Sequence, residues 1–116
     1  MNQGESLKVI TGRKGKMKKV YIAHPLRGNV ESNIKSATKI CKDLAETGEV
    51  IPFSPLHAFG FVSVMGDQTL AMRYCFALLS ACDELWVHGD WQKSEGCLME
   101  VKFARDNGIP VKLVAG

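Results

Sequence analysis

The chain has 116 residues and a mass of 12.8 kDa, room for one ordinary domain and not for two. Apolar residues make up 46% and charged residues 23%, a globular balance that excludes wholesale disorder. No run reaches the roughly 18 apolar residues of a membrane helix. The net charge of +3 is unevenly placed. Lys8, Arg13, Lys14, Lys16, Lys18 and Lys19 face only Glu5 in the first nineteen residues, so the remainder holds 9 basic against 11 acidic side chains. That remainder lacks the basic stripe that duplex nucleic acid requires.

Residues 1–17 read as a basic, disordered leader and 18–116 as the domain, with Met17 resembling a natural start. The leader has no apolar core of signal-peptide length, so a cytoplasmic protein is expected. Lys18–Ala23 is a short β-rich run ended by His24-Pro25. From Asn29 to Glu46, apolar positions recur at helical spacing (Ile34, Ala37, Cys41, Leu44), with Asn29 or Ser32 as the cap and Gly48 as the stop. Glu49–Phe53 is a second strand, and Ser54–Met65 reads as a loop rich in aromatics.

Asp67–Ala81 is a second helix, with Leu70, Ala71, Tyr74, Leu78 and Ala81 on or near one face. Glu84–His88 is a third strand. Ser94–Asn107 is a third helix, capped by Ser94 and closed by Gly108, and Val111–Val114 is a last strand. Alternating strands and helices specify an α/β fold with a parallel sheet of four or five strands between helical layers. Such sheets bind ligands at the carboxyl ends of their strands.

Strand one delivers Arg27-Gly28-Asn29 into a helix N-terminus, where free amides, the helix dipole and a guanidinium make an anion site; an exposed surface turn is the plainer reading. Strand three delivers Gly89-Asp90-Trp91 toward Ser94 and Gly96. Gly96, Glu100, Phe103 and Ala104 then share one helical face, placing a carboxylate among small and apolar groups. Such a residue invites chemistry, although a rim ion pair produces the same pattern.

Cys41, Cys75, Cys82 and Cys97 form no CxxC pair and read as reduced, apolar helix residues. His24, His57 and His88 are far apart in sequence. Neither a metal nor a cofactor is expected. Phe59, Phe61, Val62, Val64 and Met65 form an apolar run suited either to a subunit contact or to folding over the chain's own core.

The segments YIAHPLRG-N, GEVIPFSP, MRYCFALLSACDELWVHGDW and SEGCLMEVKFARDNGIPV together resemble the nucleoside 2-deoxyribosyltransferase-like superfamily, nearest its small bacterial and phage branch, over residues 18–114. The Ser-x-Gly-x-x-x-Glu element is the specific part. The resemblance implies a flavodoxin-like fold and cleavage or exchange of an N-glycosidic bond, with Glu100 as nucleophile. It also implies Ser94, Arg27 and Gly28 as phosphate ligands, as in nucleoside 5′-monophosphate N-glycosidases, with Tyr21, Asp90, Trp91 and Gly96 lining the site. Relatives assemble as homo-oligomers, so a dimer or larger assembly is expected.

One position departs from the family pattern. Active relatives carry an Asp eight residues before the Asp that opens strand three, and here that place is Cys75. His57, Asp67, His88 or Asp90 are the alternatives for proton transfer. A non-catalytic nucleotide-binding or nucleotide-sequestering module is the competing expectation.

Overall fold

The computed structural model describes residues 17–64, 66 and 68–114. The expected leader, apart from residue 17, and Met65 and Asp67 lie outside them. Four strands, β1 (Lys18–Ala23), β2 (Val50–Phe53), β3 (Glu84–Val87) and β4 (Val111–Leu113), form one parallel sheet in the order β2-β1-β3-β4. The connections after β1 and β3 therefore run to opposite sides, and the switch point lies between the carboxyl ends of these two central strands. The lower ends of the same strands are tied by a Lys18–Glu84 ion pair and by the Lys19 amide donating to Asp83 Oδ2 at 2.8 Å.

Helix α1 (Val30–Thr47) opens as the sequence implies, with the Asn29 side chain accepting from the Ser32 amide, and closes on left-handed Gly48. The segment after β2 is not a plain loop. It forms two short helices, α2 (Pro55–Ala58) and α3 (Gly60–Val64), the first started by Ser54 as cap and Pro55 at its first position. Val62 is buried, Phe59 packs on Tyr74 at 5.6 Å between ring centroids, and Phe61 is 63% exposed. Part of this run thus folds over the chain's own core, and Phe61 is left exposed.

Helix α4 (Gln68–Ser80) turns a different face inward than its spacing suggests. Tyr74 and Ala81 are exposed, whereas Leu79 and Cys82 are buried and Cys75 and Leu78 pack against them. The segment is apolar nearly all round, so periodicity alone does not select its face. Helix α5 (Glu95–Asp106) buries Cys97, Glu100, Val101 and Ala104; its C-cap is Asn107 rather than Gly108. Phe103 is half-buried and stacks on Phe76 at 4.6 Å.

Strand alternation divides the interior. Tyr21, Ala23, Leu85 and Val87 point to the α4–α5 side and form the main core with Leu79, Cys97, Val101 and Ala104. Ile22, His24, Trp86 and His88 point to the opposite side, toward α1. No helix among the described residues is long and apolar enough to cross a membrane.

Candidate functional site

Two turns meet at the switch point. The one after β3 contains Gly89 with φ +69°, a conformation costly for any residue with a Cβ. A Cβ there would also lie 3.3 Å from Pro25 Cδ and 3.7 Å from His24 Nε2, so glycine allows the turns after β1 and β3 to touch. The first turn is pinned from α1, where Asn33 Nδ2 donates to the Leu26 and Arg27 carbonyls at 3.0 and 3.1 Å. Gly28 adopts φ +99°, and the Arg27 side chain is exposed without a hydrogen bond or ion pair among the described residues.

The second turn runs through a short 3-10 helix, Trp91–Lys93, into Ser94, whose Oγ accepts from the Cys97 amide at 3.2 Å. Asp90 is exposed and its side chain caps nothing. Trp91 is half-buried against the main core, and Gly96 is half-buried in the first turn of α5.

Below these turns lies a buried carboxyl. Glu100, in the second turn of α5, is only 5% exposed and accepts a hydrogen bond at Oε2 from the Tyr21 hydroxyl of β1. Burial raises its carboxyl to about 7, with the Tyr21 bond pulling the other way. Tyr21 is itself driven well above its usual value by burial and then by the charge of Glu100.

Cys75 of α4 is hydrogen-bonded to Tyr21, and burial pushes its thiol up to about 11. Cys97, also beside Glu100 and bonded to Ser94, is pushed by burial to about 12. One ionisable carboxyl is thus surrounded by three weak acids that keep their protons at neutrality. The sequence reading did not single out Cys97; its place three residues after the capping Ser94 and three before Glu100 was the available signal.

The structure brings Tyr21, Cys75 and Glu100 together and places Ser94 one shell above them through Cys97. No hydrogen bond or ion pair among the described residues joins Arg27 to Ser94 or Glu100. All three histidines lie on the other side. His24 Nδ1 donates to the Pro25 carbonyl at 2.8 Å, so Nε2 accepts from Ser36 Oγ of α1 at 3.0 Å. His57 bridges Ser54 Oγ at 2.6 Å and Thr38 Oγ1 of α1 at 2.7 Å.

His88 is buried, its imidazole pKa is lowered by that burial, and its Nδ1 has no hydrogen-bond partner among the described residues. With His24, Trp86 and Lys112 it lines a cavity of about 480 Å³ beneath α1. His57 and His88 are therefore poor candidates for proton transfer at Glu100. Strand parity, with His24 and His88 on the face opposite Tyr21, is the signal that separates them. Among the described residues no cluster of three His, Cys, Asp or Glu is arranged to hold a metal ion.

The family model described as a domain of unknown function (DUF7768) matches residues 18–114. Among solved structures, the chain is similar to a 2-deoxyribosyltransferase from the psychrotolerant bacterium Bacillus psychrosaccharolyticus. The TM-score is 0.63 at 20% identity, covering 84% of this chain and 72% of that one, a likeness of fold. No curated protein matches.

Proposed function

The chain belongs to the DUF7768 family, and we propose that it cleaves or exchanges the N-glycosidic bond of a (deoxy)nucleoside 5′-monophosphate with Glu100 as nucleophile. The observation that carries this reading is the buried Tyr21–Glu100 pair under the β1–β3 switch point. A carboxyl near 7 is divided between its two forms at neutral pH. Its ionised form adds to C1′ as the base departs, and water or a second base then releases the sugar, giving hydrolysis or transfer. Tyr21 orients the attacking oxygen. The Arg27-Gly28 turn, the amides opening α5 and the Ser94 hydroxyl form the phosphate side, and Asp90, Trp91 and Gly96 line the approach.

The shared fold of the 2-deoxyribosyltransferase supports this reading. A homo-oligomer, with exposed Phe61 at the subunit contact, completes the proposal; its substrate is a small cytoplasmic nucleotide rather than duplex nucleic acid. The test is release of free base from a panel of nucleoside 5′-monophosphates, which the Glu100→Gln variant should abolish.

One observation favours a second reading. Cys75 cannot stand in for a carboxylate when its thiol lies at about 11. A nucleotide-binding module without turnover would show thermal stabilisation by nucleotides, about 2.7 kcal/mol at a hundred times Kd, with no base released.

A further inference from the structure

Cleaving a glycosidic bond to an uncharged nucleobase has two needs, a nucleophile at C1′ and an acid that protonates the departing base. A positioned acid contributes typically 10²- to 10⁴-fold. Among the described residues, the surroundings of Glu100 supply the first and not the second. Cys75 and Cys97 are buried thiols held at about 11 and 12, and Tyr21 is shifted well above an ordinary phenol. Glu100 cannot serve both needs, because in its protonated form it is no nucleophile.

The remaining acid candidates lie elsewhere. His24 and His88 face α1 across the sheet, and His57 has both ring nitrogens engaged by Ser54 and Thr38. Ser94 offers only an alcohol, with its Oγ accepting from the Cys97 amide; Asp90 lies on the exposed turn at the approach with no hydrogen bond to Glu100 or Tyr21; and Asp67 lies outside the described residues.

We propose that the substrate is an N-glycoside whose base is already cationic, a pyridinium or N7-alkylpurinium nucleoside 5′-monophosphate, because among the described residues the one buried carboxylate stands without an acid placed for the leaving group. This rests on Glu100 acting as nucleophile. In the first step a Glu100 carboxylate oxygen bonds to C1′ and the C1′–N bond breaks. Its electron pair returns to the ring nitrogen, cancels the positive charge and leaves a neutral base, so no proton moves. In the second step water adds to C1′, the ester bond to Glu100 breaks, and the remaining water proton passes to the freed carboxylate.

The same carboxylate favours such a substrate before any bond breaks. A lone negative charge in an apolar enclosure attracts a cation far more strongly than it would in water.

The experiment compares matched pairs that share ribose and 5′-phosphate: nicotinamide riboside 5′-phosphate against adenosine 5′-phosphate, and 7-methylguanosine 5′-phosphate against guanosine 5′-phosphate. Base release is followed by chromatography. The expected result is a kcat/KM about 100-fold higher for the cationic member of each pair. Its pH profile should rise through the Glu100 ionisation and stay level to pH 9. A ratio under tenfold, or a descending limb between pH 7 and 9 that reveals a working acid, overturns the inference and leaves the glycosidase reading standing. Absence of turnover with all four compounds overturns that reading and the inference with it.

Discussion

Tyr21 and Glu100 stand 79 residues apart in the chain and meet in the core, the phenol of the central strand donating to the carboxylate of the last helix. This bond lowers the Glu100 carboxyl against the larger upward push of burial. Tyr21→Phe removes the donor and keeps the ring, so the Glu100 midpoint should move above about 7. Carbon-13 NMR titration of the glutamate carboxyl reads this directly. A midpoint that stayed put or fell would contradict the assigned direction.

A raised carboxyl also links stability to pH. Between the ordinary carboxylate value of 4.5 and about 7, native Glu100 keeps a proton that the unfolded chain has lost. Stability from this residue is therefore full at low pH and declines as pH rises through that window, by roughly 3 kcal/mol once ionisation is complete. Glu100→Gln escapes the decline. Its melting temperature should exceed wild type by several degrees at pH 8 and converge with it near pH 4.5, while base release is lost at every pH.

Gly89 and Gly48 share nearly the same backbone angle, φ +69° and +70°, but a Cβ at Gly48 would meet open space. Gly48→Ala should cost about 1 kcal/mol from backbone strain alone. Gly89→Ala should cost more, because Pro25 and the His24 ring stand in the way. Equal losses in denaturant titration would mean that the two turns can separate freely.

Arg27 and Ser94 are expected to divide binding from folding. Arg27→Ala removes an exposed side chain without a partner among the described residues and should change stability by less than about 0.5 kcal/mol. It should also weaken thermal stabilisation by a nucleoside 5′-monophosphate and leave that by the free nucleoside unchanged. Ser94→Ala should lose about 1 kcal/mol of stability as well, from the missing α5 cap.

Phe61 presents 63% of its surface beside the buried Val62. If it sits at a subunit contact, Phe61→Glu should lower the mass found by sedimentation equilibrium without changing far-UV circular dichroism. An unchanged mass would remove Phe61 from the interface.

Much of this architecture was legible from local chemistry. Asn29, Gly48 and Ser94 mark helix ends because caps act within a few residues, and the structure uses all three as read. The regular alternation of strands and helices along the chain announces the parallel sheet. The inward face of α4 escaped, since a helix apolar on every side is oriented only by what it packs against. The two short helices after β2 escaped because each is about one turn long, below the length at which periodicity speaks.

At the candidate site, the spacing of Gly96, Glu100 and Ala104 pointed Glu100 inward. That Cys75 reaches Tyr21 is a tertiary fact linking β1 to α4 and has no local signature. The histidines were ambiguous until strand parity assigned them a side.

The strand order has a bearing on how the molecule is made. β1 is the earliest strand of the sheet, yet one of its two partners is β3, whose pairing joins Val20 to Glu84 and Ala23 to Val87. Until that distant segment leaves the ribosome, β1 can hold only β2, and the sheet remains a two-stranded strip with an open side. Closing a loop of this length before any reward arrives favours slow assembly. Glu100 itself lies on α5, beyond β3, so a nascent chain lacking β3 and α5 would have neither the Tyr21–Glu100 pair nor the switch point above it.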